Sequence, residues 1–211
     1  HLLCVENKHN KAGGTIYPLE RIIELGDTAR KHGMGYHMDG ARIWNAAVAS
    51  GTSEHDFAAP FDTVSVCLSK GLGTPLGSVL AGSKEIMTDA RRYRKLFGGG
   101  MRQIGYIAAA GIYALNNNRT SLALDHEKAQ LLARGLDSFA SVDIKLSNVE
   151  TNIAIFDVVG GRTALQVLSE LKDKGVQMVP FGPHTIRATT HRDLTMSDIE
   201  FALDRAKAVL N

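Results

Sequence analysis

The chain has 211 residues, 44% of them hydrophobic and 22% charged, enough apolar content to bury a core in one domain or two small ones. The net charge is only +2, and the basic run Arg91–Lys95 reads as a solvated helix face, so no nucleic-acid partner is expected. No apolar run approaches a membrane span, nothing at the start reads as a signal peptide, and no histidine–cysteine spacing suggests a metal site.

In chain order, Leu2–Glu6 reads as a strand. Cys4 within it, like Cys67 further on, reads as a buried free thiol of a reducing, cytoplasmic compartment. Pro18 opens a helix with Leu19, Ile22, Ile23 and Ala29 on one face, closed by Gly33. A short strand, Gly35–Met38, runs into the turn pair Asp39-Gly40, and Ala41–Ala49 follows as a helix with Ile43, Ala46 and Ala47 inward. Val64, Val66, Cys67 and Leu68 form an interior strand that ends at Lys70 and a glycine–proline turn, Gly71–Pro75. Leu76–Ala81 is a further strand. Ser83–Phe97 and Met101–Asn117 are helices parted by Gly98-Gly99-Gly100, and a long helix spans Thr120 to Phe139. This alternation predicts an α/β fold with a mostly parallel sheet and covering helices over residues 1–140. Beyond a boundary near Ser141 the pattern changes to a small C-terminal α+β domain, residues 141–211. Its strands are Val142–Leu146, Asn152–Val158, Gln177–Pro180 and Thr185–Thr190. Its helices are Thr163–Lys174 and Ser197–Leu210, the latter with Ser197 and Glu200 as a capping box.

The chemistry concentrates at Lys70 and Asp39. An ammonium where an interior strand ends is costly unless a task keeps it there. A desolvated lysine becomes an amine nucleophile able to form a Schiff base with a carbonyl cofactor. Asp39 stands at the carboxyl end of a strand, where α/β sheets bind ligands. Pyridoxal phosphate needs such a carboxylate against its ring nitrogen. Taken singly, Lys70 could snorkel to solvent and Asp39 could cap the next helix. Taken as a pair one strand apart, they favour the cofactor. Arg187, between Ile186 and Ala188 on an apolar strand, requires an anionic partner: a ligand carboxylate matched by its planar fork, or an interdomain salt bridge.

Five ordered stretches carry a resemblance that covers essentially the whole chain: ENKHN (Glu6–Asn10), HMDGARIWNA (His37–Ala46), CLSKGLGTPLGS (Cys67–Ser78), GGGMRQ (Gly98–Gln103) and IRATTHRDL (Ile186–Leu194). Together they resemble the low-specificity L-threonine aldolases, pyridoxal-phosphate enzymes of fold type I. Lys8 departs from the family's threonine, and the chain is shorter than the family's subunits, resembling their carboxyl-terminal portion without the amino-terminal phosphate loop.

The resemblance implies a PLP-dependent transferase-like fold and retro-aldol cleavage of L-threonine, L-allo-threonine and related β-hydroxy amino acids to glycine and an aldehyde. It implies Lys70 as the Schiff-base lysine, Asp39 on the ring nitrogen, and Arg42 on the cofactor ring oxygen or the substrate carboxylate. Arg187 is implied as the α-carboxylate partner, and His9 lies near the substrate hydroxyl, taking its proton directly or through water. Arg102 is implied as a phosphate contact, serving a neighbouring subunit in a homo-oligomer, a dimer or tetramer with sites at the dimer interface. The same residues would also suit β-elimination or racemisation, and a fragment lacking the phosphate cup could be non-catalytic.

Overall fold

Strands β1 (Leu2–Glu6), β2 (Gly35–Gly40) and β3 (Thr63–Cys67) lie side by side and parallel in the computed structural model, which describes residues 1–211. Side chains alternate across a strand, so Val5, Tyr36, Met38 and Val64 share one face. There they bury against Ile22 and Ala29 of helix α1 (Leu19–Lys31), Ile43 and Ala46 of α2 (Ile43–Ser50) and Phe57 of α3 (Glu54–Ala58). Tyr36 anchors this core. Its ring stacks on Phe61 with centroids 4.0 Å apart, and its hydroxyl donates to the Ile22 carbonyl at 2.9 Å. Burial pushes that hydroxyl up to about 12, against an opposing pull from Arg30. Strand β4 (Ser78–Gly82) adds to β3 in the antiparallel sense. Helix α4 (Lys84–Leu96), capped by the Ser83 hydroxyl, buries none of its residues, and α5 (Gly105–Asn117) follows.

The chain divides into two compact units, one of residues His1–Lys8 and Ile16–Thr120, the other of His9–Thr15 and Ser121–Asn211. In the second, β5 (Val142–Asp143), β6 (Ile153–Val158), β8 (Thr185–Thr189) and β7 (Val179–Pro180) form an antiparallel sheet in that order. One face buries Ala154, Phe156, Val158, Ile186 and Ala188 against helices α6 (Leu122–Asp137), α7 (Ala164–Asp173) and α8 (Met196–Leu210). Helices α6 and α8 approach closely: a Cβ on Gly135 would lie 2.4 Å from a Leu203 methyl, so a larger residue there would have to displace the Leu203 side chain. No helix is long and apolar enough to cross a membrane.

Several expectations change in physical detail. The division falls between Thr120 and Ser121 and not near Ser141, because α6 contributes Leu132, Ala133 and Leu136 to the second core. Ile23, expected inward on α1, is 43% exposed, whereas Ile22 and Ala29 are buried. Helix α2 begins at Ile43, not Ala41, since the Asp39–Arg42 stretch is held in a turn. The α8 capping box is made by Thr195 and Asp198, not Ser197 and Glu200; the Thr195 side chain accepts the Asp198 N–H at 3.2 Å. Cys4 is exposed, because it points away from the face on which Leu3 and Val5 pack, while Cys67 is buried. The short helix α3, with Ser53 as its cap, has no counterpart in the periodicity, being too short to show one.

Candidate active site

In the first unit, Asp39 is the penultimate residue of β2, and Lys70 follows β3 after Leu68 and Ser69. The two strands are parallel neighbours, with Asp39 in register with Ser65. Both residues therefore stand at the carboxyl edge of one sheet, where α/β folds place ligands. Asp39 faces away from the packed side with His37, whose ring Nδ1 pairs with the Thr63 hydroxyl at 2.8 Å. One Asp39 oxygen accepts the Ala41 N–H at 3.0 Å. That bond closes a turn before α2 instead of capping the helix, whose N-cap is Arg42.

The Lys70 turn is held from below. Its carbonyl accepts the Gly73 N–H at 2.9 Å, and Gly73 has φ of +73°, a conformation open to glycine and strained for other residues. Leu72 is fully buried, and the Asn118 amide donates to its carbonyl at 2.7 Å. The turn is thus a fixed platform for the lysine. Lys70 itself is exposed, contrary to the expectation of a desolvated amine, because it sits beyond the strand end on the rim of the sheet. Its amine makes no hydrogen bond or ion pair, which leaves the nitrogen available for chemistry. Arg42 is half-buried at the β2–α2 junction, where it is the N-cap of α2 and its carbonyl accepts the Asn45 and Ala46 N–H groups. Arg102 is exposed in the turn preceding α5.

The second unit brings Arg187 to Asn10, the residue that follows His9 at the end of ENKHN. Arg187 lies in the middle of β8, opposite Ile155 on one side and Val179 on the other, on the face away from the helices. Its Nη1 donates to the Asn10 side-chain oxygen at 3.0 Å. Its guanidinium carbon lies 5.2 Å from the centre of the Phe181 ring. Its Nε is buried without a hydrogen-bond partner. Asn10 belongs to the loop His9–Thr15. There His9 N–H donates to Thr15 O, Gly14 N–H to His9 O, and the buried Thr151 hydroxyl to Gly14 O at 3.0 Å.

The same loop settles a question of proton placement. The Ala12 N–H donates to His9 Nδ1 at 3.1 Å, so that nitrogen presents a lone pair. Neutral His9 then carries its hydrogen on Nε2, which is a donor and not a base. Lys8, one residue earlier, is 1% exposed and belongs to the first unit. Asn10, Phe181, Asn118 and the Ala12 amide escaped sequence reasoning; only Asn10, inside ENKHN, lay within a motif that could have flagged it.

Comparison with known proteins places the chain in a family and a fold. The model of the beta-eliminating lyase family matches residues 1–159. The chain is 40% identical over 204 residues to low-specificity L-threonine aldolase 1 of Arabidopsis thaliana, covering 96% of this chain and 57% of the relative. It is 39% identical over 198 residues to low specificity L-threonine aldolase of Escherichia coli, covering 94% and 57% respectively. The chain thus spans a little under three fifths of these relatives' length. Among solved structures, threonine aldolase from Leishmania major superposes with a TM-score of 0.81 at 18% identity, over all of this chain and 61% of that one. Ornithine δ-aminotransferase from Plasmodium falciparum gives 0.67 at 12% identity, over 99% of this chain and 55% of that one. These two likenesses fix the fold.

Proposed function

This chain belongs to the beta-eliminating lyase family, and from that premise we propose that it acts within a pyridoxal-phosphate-dependent threonine aldolase. The reaction is retro-aldol cleavage of L-threonine, L-allo-threonine and related β-hydroxy amino acids to glycine and an aldehyde. The observation that carries this reading is the placement of Asp39 and an unpartnered Lys70 at the carboxyl ends of neighbouring parallel strands. The relatives at 40% and 39% identity support the substrate class.

The residues fit the cofactor. A free amine on a rigid turn suits a Schiff base, and a carboxylate one strand away suits a pyridinium nitrogen. When bound, pyridoxal phosphate supplies the electron sink that makes breaking the Cα–Cβ bond feasible. Lys70 would hold the cofactor through its amine, and Asp39 would face its ring nitrogen and favour the protonated form. Arg42 binds at the ring oxygen or the substrate carboxylate, and Arg102 binds phosphate, in our reading at a partner subunit's site in a homo-oligomer. Arg187 takes the α-carboxylate on its planar fork and orients the amino acid. His9, with hydrogen on Nε2, donates to the substrate hydroxyl or to a water beside it; while Ala12 holds Nδ1, that water and not the ring takes the proton. In this reading the first unit forms the core of the large cofactor-binding domain, the second is the small domain, and the enzyme works in the cytoplasm.

The test is Lys70→Ala in the cofactor-loaded enzyme. Turnover of L-threonine and the visible absorbance of the lysine-bound cofactor should both disappear. Borohydride trapping of the parent should label Lys70. Label found on another lysine, or absorbance retained in the variant, would remove Lys70 from the assignment. Glycine and acetaldehyde as products, against pyruvate or a D-amino acid, separate the aldolase from an eliminase or racemase.

A further inference from the structure

We propose that Asn118 is the positioning residue of Lys70, fixing from the end of helix α5 the turn that carries the amine; this rests on the reading of Lys70 given above. Lys70 is exposed and its side chain is a flexible four-carbon stem, so the fold aims the amine only through the backbone beneath it. That backbone is held on both sides. Beyond Lys70, the Asn118 amide donates to the Leu72 carbonyl at 2.7 Å, in a site where Leu72 is fully buried and Asn118 is 5% exposed. Before Lys70, the Trp44 indole N–H donates to the Cys67 carbonyl at 3.3 Å. Between these two points the turn closes on itself, with Gly73 N–H on Lys70 O at 2.9 Å and Thr74 N–H on Leu68 O at 3.2 Å.

Both holds trace back to the same helix end. Asn118 is the C-cap of α5, and its own N–H donates to Ala114 O at 2.8 Å, so the side chain leaves from a fixed backbone. The next residue, Arg119, has its guanidinium carbon 5.7 Å from the centre of the Trp44 ring and donates to Glu54 Oε1 at 2.5 Å. Higher on α5 the helix lies against the residue where β3 gives way to the turn: a Cβ on Gly111 would meet a Leu68 methyl at 3.1 Å. Of the two hydrogen bonds, the one from Asn118 is the shorter and the more buried. Without it the Leu72 carbonyl would be buried with no donor, and the turn would have to open to reach water. Small displacements matter here, because reacting atoms must be held within about 3–3.5 Å of each other.

The experiment compares N118A, N118L and W44F with the parent enzyme. N118L keeps roughly the volume of the asparagine and removes the donor, which separates the lost bond from the cavity that alanine leaves. The first readout needs neither cofactor nor turnover. In the apoenzyme, peptides spanning Ser69–Thr74 should exchange their amide hydrogens about tenfold faster in N118A and N118L, while those of β2 and β3 keep the parent rates. W44F, which keeps an aromatic ring and loses the N–H on Cys67 O, should have a smaller effect of about threefold. When pyridoxal phosphate is added, the visible absorbance of the lysine-bound cofactor should appear about tenfold more slowly in N118A and N118L. In the loaded enzyme kcat for L-threonine should fall by a like factor, with KM within about twofold of the parent. If N118A and N118L exchange and load as the parent does, Asn118 is idle and the proposal falls while Lys70 keeps its role. If exchange rises equally across β2 and β3, Asn118 supports the unit as a whole and the positioning role falls. If borohydride labels another lysine in the parent, the reading of Lys70 falls first and takes the proposal with it.

Discussion

Removing the Lys128 ammonium should destabilise the second unit selectively. Lys128 and Asp125 are one turn apart on α6, with side chains only 6% and 1% exposed. The Lys128 Nζ donates to Asp125 Oδ1 at 2.7 Å and to the His191 and Leu194 carbonyls at 2.9 Å each, so all three of its hydrogens have acceptors. Lys128→Ala would leave a carboxylate buried with no counter-charge; its second oxygen already lacks a partner. Breaking one side of such a pair destabilises by about 3–5 kcal/mol, a large share of the roughly 5–15 kcal/mol that holds a domain together. Replacing both partners, as in D125L/K128M, removes the stranded charge and should recover most of the loss, short of about 1–2 kcal/mol for the Leu194 carbonyl left without the lysine; the His191 carbonyl keeps the Leu194 N–H. The assay can separate the units, because Trp44 and all five tyrosines lie in the first one. Urea unfolding should therefore be followed by hydrogen exchange at α6 and α8, with Trp44 fluorescence as an internal reference. A loss below about 1 kcal/mol in K128A, the range of exposed pairs, would refute the reasoning.

Two further outcomes follow from protons. The buried Tyr36 hydroxyl is pushed up to about 12, so its contribution is complete below pH 10, where both folded and unfolded chains keep the proton. It is lost as pH rises from 10 towards 12, by about 2–3 kcal/mol in total, and Tyr36→Phe should flatten that alkaline fall in a urea titration across pH 9–12. At neutral His9, ¹⁵N–¹H correlation spectra should place the hydrogen on Nε2, since Ala12 donates to Nδ1; a hydrogen found on Nδ1 would restore His9 as the candidate base.

Most of the fold was legible because its elements are long or strongly patterned. Helix α6 and the β6–β8 pair follow from apolar periodicity, and the parallel β1-β2-β3 order follows from strands alternating with helices. Boundaries were not legible where a side-chain bond overrides propensity. Asp39 bonding to Ala41 delays α2, and Thr195 rather than Ser197 starts α8, because the first true cap satisfies the free N–H groups. The unit boundary was missed for another reason. Periodicity tells which face of α6 is apolar but not which core receives it, and Leu132 and Leu136 join the second.

The site shows the same asymmetry between what a motif names and what holds it in place. Lys70 and Asp39 could be picked out because each residue type, at the end of a strand, has few other reasons to be there. Its exposure could not be, since a strand's burial ends at the strand while the turn beyond it projects from the rim. Arg187 was legible as a cation in an apolar strand, yet its contacts were not: Asn10 lies on its Nη1 and Phe181 on its face. His9 shows how far this reaches. Residue type alone permits base, acid or donor, and one backbone N–H three residues along selects the donor form. In the proposed reaction, a histidine so held would align a hydroxyl or a water through Nε2–H. A ring that had to take up a proton at Nδ1 would first have to give up the Ala12 bond that shapes the loop carrying Asn10, and with it the hold on Arg187.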